Sequence, residues 1–192
     1  MKRFYFVLMA VIVIFSLTML IRGKDDEVPA EVSAETISAA EDIPKATYEK
    51  MSVPGGDTSF KSYMDYRKIT NTSSKQYKFQ QECWTDANGL RRKGSLYVVA
   101  LGTGYASEIG DRFRVTLEDG STIGVIVGDF KADADTDSTN RYTEMENGNK
   151  NVLEFIVDVS ALPRTARRMG DISYIEGLSG DVEKIEERKE SQ

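Results

Sequence analysis

Four aspartates, Asp129, Asp133, Asp135 and Asp137, fall within nine residues. In an extended backbone the even spacing from Asp133 to Asp137 turns those three carboxylates to one side. Like charges so close disfavour full ionisation, which leaves three arrangements open. One carboxyl keeps its proton and serves as a general acid; a cation neutralises the group; or the strand ends at Asp129 and a solvated loop follows, built from the Asp, Asn, Ser and Thr usual in turns. The cation would be a hard one with oxygen ligands. Asp133-x-Asp135-x-Asp137, with Glu144 at the twelfth position, follows the spacing of an EF-hand calcium loop. Ser138 stands at the sixth position, where that loop needs glycine, Arg141 stands at the ninth, and Ile123 to Val127 reads as strand rather than entering helix. Asp133, Asp135 and Asp137 are therefore candidate ligands of a looser calcium site, and no other cofactor is implied.

Composition narrows the alternatives. The 192 residues include no histidine and one cysteine, Cys83. That excludes Ser-His-Asp triads, Cys-His pairs, zinc sites built on His or paired Cys, and any intramolecular disulfide. Acid–base chemistry falls to Asp, Glu, Lys or Tyr. With 25 basic against 31 acidic residues the chain carries a formal charge of −6, which argues against nucleic acid as a partner.

The elements that would position these groups occupy the C-terminal part of the chain. Residues 1–24 are a separate object. Lys2 and Arg3 precede an apolar run from Phe4 to Ile21 in which only Ser16 and Thr18 are polar. As a helix this run is roughly 27 Å long, enough to cross a bilayer, and it reads as an uncleaved signal anchor. Lys2-Arg3 would stay inside while Asp25-Asp26-Glu27 follows on the far side, giving a single-pass protein of the cell membrane with its C-terminal part outside the cytoplasm. Residues 25–52 read as an acidic, flexible linker with too few apolar side chains to bury a core. Residues 53–192 read as one domain, opening at Val53-Pro54-Gly55-Gly56.

Within that domain the spacing predicts one helix from Ser73 to Trp84, with Cys83 packing on it, and a short second helix at Pro163 to Met169. Six short strands are predicted at Ser95–Leu101, Arg112–Leu117, Thr122–Asp129, Asn151–Val157, Ile172–Glu176 and Val182–Ile185. Glu118-Asp119-Gly120 is a hairpin turn. Six brief strands with one or two short helices make a mainly β domain and suggest a small closed barrel. Arg91-Arg92-Lys93 and Arg164 with Arg167-Arg168 are basic clusters that suit wall phosphates or anionic lipid, or are simply solvated faces. Tyr63, Tyr66 and Tyr77 suit stacking on sugar rings, or core packing.

Three runs carry a family resemblance: Asp86-Ala87-Asn88-Gly89, Lys93-Gly94-Ser95-Leu96-Tyr97-Val98-Val99-Ala100, and Ile109-Gly110-Asp111-Arg112-Phe113-Arg114-Val115. Together with Gly128, Ala134-Asp135-Thr136 and Asn151-Val152-Leu153-Glu154-Phe155, the region from Thr85 to Val157 resembles the 3D domain. That family shares a six-stranded double-psi β-barrel with the MltA-type lytic transglycosylases and the RlpA and expansin groups. Asp137-Ser138 replaces the family's Gly-Gly pair, about ten residues from Asn140 to Lys150 are inserted, and Glu154 stands where the family has aspartate. The resemblance implies a domain acting on peptidoglycan glycan strands, with cleavage by lytic transglycosylation. One carboxylic acid protonates the glycosidic oxygen, and its carboxylate then takes a proton from the sugar's own 6-hydroxyl. Asp135 matches the Asp-Thr position and is the candidate acid/base; Glu154 and Asp129 would tune or orient it, and Thr136 and Tyr105 are the candidate substrate-binding side chains. The alternative is a non-catalytic glycan-binding or structural envelope protein.

The topology expectation is directly testable. Protease added to intact spheroplasts should degrade the C-terminal domain; full protection reverses the orientation, and a mature amino terminus mapped near Glu35 identifies a cleaved signal peptide instead.

Overall fold

The computed structural model describes residues 46–189. The apolar run 4–21, the anchor and most of the acidic spacer lie outside the described residues. Among the described residues, no helix is long and apolar enough to cross a membrane.

The fold is mainly β with two short helices. Eleven strands follow in chain order: β1 (Thr47–Met51), β2 (Ser62–Asp65), β3 (Trp84–Thr85), β4 (Arg91–Lys93), β5 (Leu96–Leu101), β6 (Arg112–Leu117), β7 (Thr122–Phe130), β8 (Thr143–Glu144), β9 (Lys150–Asn151), β10 (Glu154–Val157) and β11 (Val182–Lys189). Helix α1 (Lys75–Gln81) lies between β2 and β3, and α2 (Arg164–Met169) between β10 and β11. One large mixed sheet runs β1-β11-β6-β7-β5-β10-β2, with β4 added beside β5 and β3 beside β4; β8 and β9 form a separate ribbon.

Strand β5 explains the arrangement. Leu96-Tyr97-Val98-Val99-Ala100-Leu101 is apolar on both faces, so it is stable only in the middle of a sheet covered on both sides. It pairs in parallel with β7 along one edge, while on the other edge it pairs with β4 at its start and β10 at its end. Val99 and Leu101 join the larger core with Val125, Val127, Phe155 and Val157. Val98 and Ala100 face the opposite way with Ile126 and Ile156, under Phe79 and Cys83. Helix α1 starts where the sequence places it, because the Ser74 side chain accepts from the Tyr77 N–H at 3.1 Å. The β6–β7 hairpin turns on Gly120 at φ +80°.

Two expectations are corrected. The sheet does not close into a six-stranded barrel: β1 pairs only with β11 and β2 only with β10, so the path has two ends. The reason lies in segments of weak pattern. Residues 47–51, assigned by composition to the flexible linker, pair with Met51↔Ile185 through Thr47↔Lys189, and Ser62–Asp65 adds a parallel strand beyond β10. The predicted strand Ile172–Glu176 is also absent. A 3-10 turn (Ile172–Tyr174) forms instead, capped by Asp171, whose carboxylate accepts from the Ser173 N–H at 2.9 Å. Burial of Ile172, Ile175 and Leu178 at a three-residue interval matches that turn's period.

A buried lysine ties the far end together. Lys61 is fully buried, and its Nζ donates to the carbonyls of Ser59 at 2.9 Å and Gly180 at 2.7 Å. Burial pushes its pKa down to about 8 against the opposing charges of Asp171, Asp181 and Asp57.

The edge strand gives a test. A chain beginning at Ser52 loses the β1–β11 ladder, the Met51 core contact and the Tyr48 ring stacked 4.0 Å from the Arg114 guanidinium. It should melt at least about 3 °C below a chain beginning at Ala46, on the scale of about 2–4 °C per kcal/mol for a domain near 150 residues. Equal melting temperatures by circular dichroism would show that β1 adds nothing to the fold.

Candidate functional site

The site is built at the C-terminal ends of β5 and β7. Their register slips between Val99↔Val127 and Ala100↔Asp129, which leaves Gly128 as a bulge. A side chain at Gly128 would collide with Val98 Cγ1 and press on Gln80, so glycine is required where α1 lies against the bulge. Beyond the bulge, Ala100 pairs with Asp129 on one side and with Glu154 on the other, and Glu154 in turn pairs with Ser62. Side chains paired across a sheet share a face, so Ser62, Glu154, Ala100 and Asp129 form one row, with the acidic residues two strand spacings, roughly 10 Å, apart.

The two acidic residues of this row open on different cavities. Asp129 lines one of about 330 Å³ with Met64, Lys68, Asn71, Ser74 and Gln76. Burial pushes its pKa up, partly opposed by hydrogen bonds from the Phe130 N–H at 2.9 Å and from Gln76. Glu154 lines a second cavity of about 430 Å³ with Lys131, Asp135, Thr143 and Asn151. Asn151 holds the wall rigid, its Oδ1 accepting from the Ser62 N–H and its Nδ2 donating to Ser62 Oγ at 2.7 Å. Lys131 is buried, which pushes its pKa down, and the charge of Glu154 opposes that shift.

The aspartate run does not stay extended. Asp133–Asp135 forms a 3-10 turn, so alternate residues no longer share a side. Asp133 Oδ1 accepts from Thr103 Oγ1 at 2.7 Å, and the exposed Asp135 turns toward Glu154 and Lys131. Asp137 is consumed by its own loop: it accepts from the N–H groups of Thr139 at 2.9 Å, Arg141 at 2.9 Å and Tyr142 at 3.3 Å, and from Thr139 Oγ1 at 2.6 Å. Burial works against its charge, but these hydrogen bonds outweigh it and hold the pKa at about 2. The loop is seated on Gly102 and Gly104, where any Cβ would strike the carbonyls of Asn140 and Thr139. Among the described residues, no group of three or more acidic or thiol side chains is placed to hold a metal ion.

The other candidates are placed as follows. Thr136 Oγ1 lies 3.0 Å from the Asp133 carbonyl and 3.3 Å from Asn140 Oδ1, within its own loop. Tyr105, only 4% exposed, is a core residue whose hydroxyl donates to the Ser52 carbonyl at 3.0 Å, and burial pushes its pKa to about 12. Arg91 is no surface patch: its guanidinium is buried and donates to Gln80, Thr85 and Cys83 beside the Tyr66 ring. Tyr63 donates to the Arg167 carbonyl, whereas Tyr66 and Tyr77 line a third cavity of about 390 Å³ with Gln80 and Gln81. Lys131, Thr143 and Asn151 were not foreseen; the one available signal was a lysine standing alone in the acidic stretch from Asp129 to Asp137. Comparisons with family models, curated proteins and solved structures give no match.

Asp137 supplies a pH test. A carboxyl depressed in the folded state adds stability above its unfolded pKa, about 4, and loses it as pH falls toward 2. Asp137→Ala should cost about 1 kcal/mol at pH 7. The difference from wild type in urea unfolding should shrink toward zero between pH 4 and 2; a difference that does not vary with pH would assign the effect to loop packing alone.

Proposed function

We propose that this chain acts on the glycan strands of the bacterial cell wall, anchored in the membrane by residues 4–21, with the cavity shared by Asp135 and Glu154 as its reaction site. One observation carries the reading: these two carboxylates, far apart in sequence, line a single open cavity, as a reaction that needs an acid beside a second negative group requires. The motifs from Asp86 to Phe155 support the same substrate class.

In this reading the protonated Asp135 gives its proton to the glycosidic oxygen as the C1–O bond breaks. The resulting carboxylate takes the proton of the sugar's 6-hydroxyl as that oxygen closes on C1. The product carries an anhydro ring and no water is consumed. Glu154, on a rigid strand, supplies negative charge where positive charge develops at the sugar. Asp129 opens on a different cavity and stands outside the reacting group.

A second reading, glycan binding without cleavage, is favoured by the separate cavity lined by Tyr66, Tyr77, Gln80 and Gln81. Aromatic rings and amides bind sugar faces and N-acetyl groups without any acid.

Full-length protein incubated with purified peptidoglycan should release anhydro-muropeptides. Asp135→Asn should cut the rate by roughly 10²-fold or more, and Glu154→Gln by roughly 10-fold or more, with unchanged circular dichroism. Glu146→Gln, on an exposed turn, is the control and should cleave at the wild-type rate. Binding without release of anhydro product selects the second reading, and wild-type rates for Asp135→Asn remove Asp135 from the chemistry.

A further inference from the structure

The domain buries two lysines and uses them differently. Lys61, 0% exposed, spends its ammonium on two backbone carbonyls among three aspartates. Lys131, 6% exposed, donates its backbone N–H to the Leu101 carbonyl at 3.0 Å, yet among the described residues its Nζ makes no hydrogen bond and no ion pair. Its stem is packed in the domain, but its Nζ is not among the atoms shut off from water without a partner, so the ammonium is left open to the cavity rather than spent on the fold. Lys131 lines the cavity of about 430 Å³ together with Glu154, whose charge acts on it without forming an ion pair.

The gap between these groups defines what fits there. The ammonium only donates and the carboxylate only accepts. A ligand carboxylate would satisfy Lys131 but would meet the charges of Glu154 and Asp135; a ligand ammonium would satisfy the carboxylates but would meet Lys131. A hydroxyl accepts from the first and donates to the second without adding charge. We propose that Lys131 is the ligand-orienting residue of this cavity, its ammonium and the Glu154 carboxylate together holding one hydroxyl of an uncharged sugar unit and so presenting the adjoining bond to Asp135. This deepens the glycan reading and rests on it. It makes Lys131 a binding residue, in contrast to Lys61, whose ammonium is spent on the Ser59 and Gly180 carbonyls.

The test uses full-length protein with an N-acetylglucosamine tetrasaccharide as probe. Reductive methylation by formaldehyde and borane, read by peptide mass spectrometry, should modify Lys131 through the open cavity and spare Lys61. Saturating tetrasaccharide should slow Lys131 modification at least fivefold while leaving the exposed Lys78 unchanged. Lys131→Met should melt near the wild-type temperature yet bind the tetrasaccharide at least tenfold more weakly, with Lys131→Arg intermediate. Lys61→Met should melt well below wild type. Binding without protection of Lys131, wild-type affinity in Lys131→Met, or a melting temperature lowered as in Lys61→Met would each overturn the proposal while leaving the glycan reading intact. Failure of the wild-type protein to bind any tetrasaccharide at millimolar concentration would overturn both.

Discussion

The pairing of β5 on both edges is the constraint from which the rest follows. A six-residue strand that is apolar on both faces must be hydrogen-bonded on each side and covered above and below. β7 meets one edge, β4 and β10 share the other, the large core covers one face and α1 the other. Because β5 ends at Ala100 and Leu101, the strands beside it bring Asp129 and Glu154 to the same level of the sheet. The small side chain of Ala100 between them leaves room for polar groups at the rim of an otherwise apolar face.

Around that rim, polar side chains divide into those the fold consumes and those it leaves available. Asp137, Asp171 and Asn151 are bound to backbone or neighbouring side chains and hold loops and strands in place. Lys61 and Arg91 are buried cations satisfied by carbonyls. Asp135, Glu154 and Lys131 remain turned toward one cavity. In a protein without histidine this separation singles out a candidate site better than residue type does, since nearly every polar residue of the region is capable of either role.

The sequence legible as pattern was the part governed by local physics. Val98 and Val99 in a two-faced apolar run, the Asp119-Gly120 turn, the Ser74 cap and the short helix at Pro163 to Met169 follow from side-chain alternation, positive φ and capping, all of which act within a few residues. Among the strands that escaped notice, β1 and β2 are short and lie on sheet edges; their pairing is determined by β11 and β10, more than ninety residues away in the chain. The expected barrel failed for the same reason, since closure depends on what those edges meet and no local spacing records it.

The candidate site shows the same division. From the sequence came the concentration of carboxylates between Asp129 and Asp137 and the exclusion of histidine and paired-thiol chemistry, and from the family resemblance the candidates Asp135, Glu154 and Asp129. Tertiary structure decided which carboxylates share a cavity. A 3-10 turn in place of an extended strand dispersed Asp133, Asp135 and Asp137, the Gly128 bulge aimed Asp129 toward α1, and the core took Tyr105. It also decided the state of Lys131, because the burial of its stem and the opening of its ammonium to the cavity are properties of surroundings assembled from β5, β7, β9 and β10. Composition determines which charges a chain carries; only packing determines which of them are left uncompensated, since desolvation depends on every atom that displaces water from the group.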